Sequence, residues 1–130
     1  LNPATVDYQN VPSCVYTSPE VASVGMTERE AVEKGYEVKI GKFPYTASGK
    51  ATAAGDKDGF VKVVADAKTD DVLGVHLVGL NVTEMIAEPT MVRALGGKVA
   101  QIMRTIHPHP TMSEAVMEAA AAVHNEAIHV

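Results

Sequence analysis

The chain has little of what most often carries chemistry. Its 130 residues include one cysteine, Cys14. A single cysteine cannot close an internal disulfide, which is compatible with a reducing compartment. It lies in Val11-Pro12-Ser13-Cys14-Val15-Tyr16, an apolar run in which a small buried hydrophobe is the expected role rather than a reactive thiol. No Gly-x-Gly-x-x-Gly fingerprint marks a dinucleotide site. No apolar run approaches the roughly 20 residues that cross a bilayer. The opening Leu1-Asn2-Pro3 has no basic-then-apolar signal pattern and reads as a cut through a longer chain. Repeats and low-complexity tracts are missing too. A net charge of −5 argues against non-specific nucleic-acid binding and favours solubility or a basic partner.

What is present fits one globular domain with a real core, spanning residues 1–130 and 46% apolar. Val11 to Tyr16 reads as a first strand. Thr27-Glu28-Arg29-Glu30 is a capping box opening a short helix that Gly35 closes. Tyr36, Val38 and Ile40 alternate with Glu37 and Lys39, the period of a half-buried strand. Phe43 to Asp58 reads as a connection with side chains too small to build much core, ending in the turn signal Gly55-Asp56-Lys57-Asp58-Gly59. Phe60 to Ala65 and Val72 to Val78 are Val-rich strands joined by a polar link, hence a hairpin. On that alternation His76 shares a face with Val72 and Val78 and is a packed histidine. Asn81-Val82-Thr83-Glu84 is a looser cap for a helix ending near Gly96-Gly97, with a break expected near Glu88 because Pro89 lacks an amide donor and clashes with the Met85 carbonyl. A short turn covers Val99 to Arg104. A last helix runs from Met112 to about Ala127, with Val116, Ala120, Val123 and Ala127 on one stripe. The expected class is α+β: an antiparallel β-sheet with helices packed on one face and the other turned to solvent or a neighbouring domain.

The densest chemistry is His107-Pro108-His109-Pro110-Thr111-Met112-Ser113-Glu114. Its prolines stiffen the backbone, so the imidazoles are aimed. They bias both histidines toward extended geometry, and His109–Pro110 is a candidate cis bond. Five positions on, Glu114 can fold back to His109, fix its tautomer and favour its charged form, as a general acid/base needs. Other readings stand beside this one. Thr111-x-x-Glu114 is also a capping box. His107-x-His109 would suit a metal only with a third ligand, and no Cys/His cluster supplies one. His109 alone could be a satisfied core or surface histidine.

The same eight residues resemble the His-x-His-Pro-Thr-x-Ser-Glu signature of the dihydrolipoamide dehydrogenases, a group of flavin disulfide reductases. Val11 to Gly25, with Thr17-Ser18-Pro19-Glu20-Val21-Ala22-Ser23-Val24-Gly25, resembles their opening strand and Thr-x-Pro-Glu-x-x-x-Val-Gly turn. Leu73-Gly74-Val75-His76-Leu77-Val78-Gly79 resembles the strand before their long helix. These matches run in family order over nearly the whole chain, and what they resemble is the C-terminal interface, or dimerisation, domain. The FAD and NAD domains and the redox disulfide of that family lie outside such a domain, so the chain alone is not expected to catalyse.

The resemblance implies a homodimer in which this domain completes the partner's active site. His109 would be the base facing the partner's disulfide and the dihydrolipoamide of a lipoyl domain, with Glu114 holding its ring. Pro110 would correspond to the family's cis proline and His107 would lie near the flavin edge, touching it through its backbone. FAD and NAD would be the full-length enzyme's cofactors, with no metal. The peripheral subunit-binding domain of an acyltransferase would dock near the two-fold axis. Bacterial cytoplasm is the expected compartment, with mitochondrial matrix as the alternative. The corresponding helix of that family usually runs unbroken, so Pro89 is a departure. Glutathione reductases share the domain and His-Pro-Thr but usually lack the upstream His that His107 supplies. Mercuric reductases usually replace the His and add C-terminal cysteines. A purely dimerising or docking module is the remaining alternative.

Overall fold

A computed structural model describes residues 3–130. Its strands are β1 (Ser13–Val15), β2 (Glu20–Gly25), β3 (Val38–Pro44), β4 (Phe60–Asp66) and β5 (Val72–Gly79). They form one antiparallel sheet in the order β1-β2-β5-β4-β3. The helices are α1 (Glu28–Glu33), α2 (Gly49–Ala54), α3 (Val82–Met85), α4 (Ala87–Ala94), α5 (Val99–Arg104) and α6 (Glu114–Val123). Among the described residues no helix is long and apolar enough to cross a membrane.

Most of the core lies on one side of the sheet. Val61, Val63 and Ala65 of β4 and Val75 and Leu77 of β5 alternate onto that side and meet Val116, Ala119, Ala120 and Val123 of α6. Residues of α2, α3 and α5 close the same cluster. Among the described residues α1 sits on the other side, where Ala31 packs with Val64 and Leu73 against Val38 and Ile40. Its capping box is complete, with Thr27 and Glu30 bonded reciprocally. Close approach of α6 depends on Gly41: a Cβ there would overlap the Ala119 carbonyl oxygen and crowd Val123.

Several local expectations change once the chain is folded. β2, an interior strand beside the edge strand β1, carries only Ala22 and Val24 into the core, and so short an apolar alternation gives little sequence signal. Phe43 and Tyr45 are core residues, so the segment after β3 is not the core-poor connection its small residues suggested. The Tyr45 hydroxyl donates to the Leu80 carbonyl at 3.1 Å. Its ring fits because Gly79 has no side chain: a Cβ there would sit 2.5 Å from the ring. In β5 the register skips Leu73, since Val64 pairs with Gly74 and Ala65 with Val72. Such a bulge reverses side-chain alternation. Val72 therefore joins the main core, while His76 keeps to the opposite face with Val78 and lies 3.0 Å from the Met26 carbonyl oxygen.

The helix after β5 breaks at Ile86, between α3 and α4, rather than at Glu88. Pro89 has no amide to give the Met85 carbonyl, so the helix restarts with Pro89 in its first turn, where proline is tolerated. Asn81 makes no side-chain cap. The Glu20 carboxylate caps instead, accepting from the Thr83 amide at 3.1 Å and its hydroxyl at 2.8 Å. Arg93 of α4 donates to the carbonyls of Gln9, Val72 and Leu73 and to the Asn10 side chain, tying the N-terminal turn to the bulge.

The glycines give a paired test. Gly41→Ala should destabilise the chain by about 1–3 kcal/mol through overpacking. Gly49→Ala, in a helical position with open space around it, should be neutral or stabilising by up to about 1 kcal/mol. Urea unfolding midpoints of the two variants check this, and equal midpoints would contradict the packing of α6 on β3.

Candidate active site

The loop from Thr105 to Ser113 joins α5 to α6. Pro108 and Pro110 remove two backbone donors and fix two φ angles, so this stretch cannot continue a helix. The His109–Pro110 bond is cis, as is Ser18–Pro19 elsewhere in the chain. The helix opens at Glu114, two residues later than the expected Met112, and ends at Val123 rather than near Ala127.

Glu114 performs both tasks its position suggested. One oxygen lies 2.9 Å from His109 Nδ1, and the other accepts the Thr111 amide at 2.8 Å. Only half of the capping box forms, because the Thr111 hydroxyl is buried without a partner and Ser113 makes no side-chain cap. Partial burial works against charge on Glu114. The Thr111 amide, the hydrogen bond to His109 and the nearby His109 and His129 rings outweigh it, holding the carboxyl below the ordinary glutamate range. The bond to Glu114 assigns the neutral-ring proton to His109 Nδ1, leaving Nε2 as the basic nitrogen. The His109 side chain is 76% exposed and that of Glu114 22%. An exposed imidazole backed by a sheltered carboxylate can take a proton from an incoming group and return it.

His107 and Pro110 lie differently. The His107 side chain is only 5% exposed. Its Nδ1 is 2.8 Å from the Thr105 carbonyl oxygen and its Nε2 2.9 Å from Glu88 Oε1. The ring is fully engaged, so any outward contact of His107 is through its main chain. Pro110 is exposed, in a shallow depression with Asn81, Glu84 and Met112. His107 and His109 thus take separate carboxylates, and no group of three potential metal ligands converges among the described residues. Cys14 is a half-buried free thiol in β1, at the sheet edge opposite β3.

One pair escaped the sequence reading. Glu118, with 2% exposure, lies one turn after Glu114 on α6. Its carboxylate accepts the Ile128 amide at 2.9 Å and lies 2.7 Å from His129 Nδ1. His109, Glu114, Glu118 and His129 share a cavity of about 200 Å³ with Phe43 and Ser48. The four-residue spacing of the two glutamates was the available signal, since it places both carboxylates on one helix face.

Residues 11–120 match the family model described as pyridine nucleotide-disulphide oxidoreductase, dimerisation domain. The dihydrolipoyl dehydrogenase of Bacillus subtilis (strain 168) is 55% identical over 129 residues, covering 99% of this chain and 27% of that protein. The mitochondrial dihydrolipoyl dehydrogenase of Caenorhabditis elegans is 49% identical over 122 residues, or 94% of this chain and 25% of the other. Among solved structures, the HOCl-induced flavoprotein disulfide reductase RclA from Escherichia coli, as its Cu(II) complex, superposes with a TM-score of 0.83 at 33% identity, covering 87% of this chain and 26% of that one. The chain thus spans about a quarter of the length of these relatives.

Glu114 carries a pH signature. A carboxyl held low in the folded state contributes stability above its unfolded pKa and loses it as pH falls through the folded value. The stability difference between the wild type and Glu114→Gln should therefore be present at about pH 6 and shrink below about pH 4.3. Unfolding free energies measured across that range check it, and a difference independent of pH would contradict the described bonding.

Proposed function

The chain belongs to the family of pyridine nucleotide-disulphide oxidoreductase dimerisation domains, and from that premise we propose that it is the interface domain of a dihydrolipoamide dehydrogenase. The full enzyme would be a homodimer oxidising dihydrolipoamide with NAD, and this domain would lend His109 and Glu114 to the partner's site. The observation that carries the reading is the 2.9 Å bond from His109 Nδ1 to Glu114, with the rest of the imidazole exposed. Exposed apolar side chains leave surface for a partner to cover: Tyr16 at 80%, Leu95 at 78% and Ile106 at 96%.

A thiol is a poor nucleophile until it becomes a thiolate. His109 Nε2 would accept the proton of the first dihydrolipoamide thiol. The ring would then be an imidazolium, held by the Glu114 carboxylate and stabilising the new thiolate beside it. The thiolate would attack one sulfur of the partner's disulfide, forming a mixed disulfide and expelling the other sulfur as thiolate. Pro110, with its fixed φ, would set the backbone from which His109 enters. The exposed backbone at Pro108 to Pro110 fits the edge of a flat cofactor, and His107 fits it only through its main chain, because its ring is taken. FAD and NAD, bound mainly by parts of the enzyme outside this chain, would supply the onward electron transfer.

In the full-length enzyme, His109→Gln should keep FAD and the dimer but lose about 100- to 10,000-fold of dihydrolipoamide oxidation. Near-normal turnover would refute the base assignment. Glu114→Ala should cost less activity and also lower the melting temperature, since the same carboxylate opens α6. For the docking role, sedimentation of the full-length dimer with the small binding domain of an acyltransferase should show a complex, and two species migrating independently would remove that partner.

A further inference from the structure

We propose that Glu88 is a positioning residue for this reaction: through the buried His107 ring, it fixes the loop from which His109 is presented. The proposal rests on reading His109 as the base, and its test separates the two.

The loop before α6 has few ways to hold its shape. Pro108 and Pro110 have no amide to donate, and Ile106 and His109 point largely into solvent. Between Thr105 and Pro110 the side chain that turns inward is His107. Both of its ring nitrogens are occupied, one by the Thr105 carbonyl two residues back, the other by Glu88 on α4. The Thr105 contact is local and moves with the loop. Glu88 lies 19 positions away on a separate helix, so its contact ties the stretch ahead of His109 to the body of the domain. Pro108, with its fixed φ, is the only residue between the tether and His109. With that φ fixed, the chain has less freedom to absorb a displacement at His107 before it reaches His109.

The break at Ile86 places Glu88 in the first turn of a restarted helix. A glutamate there also complements the helix dipole, a role that needs only its charge. Loop positioning needs something else, a hydrogen-bonding atom at 2.9 Å from His107 Nε2. Removing that atom leaves a buried ring nitrogen unpaired, which favours release of the ring. The base must meet its proton within hydrogen-bond reach, and displacements of about 1 Å cost on the order of 100-fold in rate.

The two roles respond differently to substitution. Glutamine keeps the reach and loses the charge: its amide can donate to Nε2 while Nδ1–H still donates to Thr105. Aspartate keeps the charge and loses the reach. In the full-length enzyme, Glu88→Ala and Glu88→Asp should lower kcat for dihydrolipoamide oxidation by about 10- to 100-fold, with KM changed by less than about threefold. Glu88→Gln should stay within about threefold of wild type in kcat. His109→Gln, assayed beside them, reports on the base itself. If Glu88→Ala fails to bind FAD or to dimerise, the aspartate and glutamine variants decide. Normal kcat in Glu88→Asp overturns the proposal, as does a loss in Glu88→Gln equal to that in Glu88→Asp. If His109→Gln is fully active, the base reading fails, whatever the Glu88 variants do.

Discussion

The site depends on one carboxylate with two jobs. Glu114 gives one oxygen to the Thr111 amide, where α6 begins, and the other to the ring of His109. Helix start and ring orientation are therefore the same constraint. The carboxylate's place is in turn set by the core, because α6 lies directly on Gly41 of β3 and packs Val116, Ala119, Ala120 and Val123 against the sheet. An exposed imidazole ring is thus linked to the rigid interior by one short side-chain bond of its own. Sites supported in this way keep their geometry without burying the reactive group.

The same device recurs nearby. His107 meets Glu88, His109 meets Glu114 and His129 meets Glu118, each within 3 Å. The three pairs differ in which partner is sheltered. His107 is buried beside a half-buried acid, whereas His129 is exposed beside a buried one. Part of the chain's acidity is thus spent on seating imidazoles around one end of α6 and α4.

What could be read from sequence was local. The β4–β5 hairpin, the Thr27–Glu30 box, the α5 turn and the His109–Glu114 pairing all follow from residues within a few positions of one another, so spacing alone encodes them. What could not be read depends on distant chain. Tyr45 is core because Gly79 leaves room for its ring. Val72 changes face because β5 skips a residue against β4. Asn81 was given a cap that Glu20 makes from 63 positions away. Glu88 reaches His107 across a helix break that Pro89 announced but did not place. The fold class survived these local errors because the hydrophobic alternation of β4 and β5 and the apolar stripe of α6 determine it.

Arg93 differs from every carboxylate-held contact around it. Its guanidinium binds three backbone carbonyls and an amide oxygen, all neutral acceptors. Such bonds do not titrate, and added salt screens them less than it screens ion pairs. The two ends of the molecule therefore have different vulnerabilities. Acid removes the Glu114 link at α6's first turn, while the Arg93 seam between β5 and the N-terminal turn has no carboxylate to lose. Acidity thus reaches the support of the exposed imidazole and leaves this neutral fastening as it was.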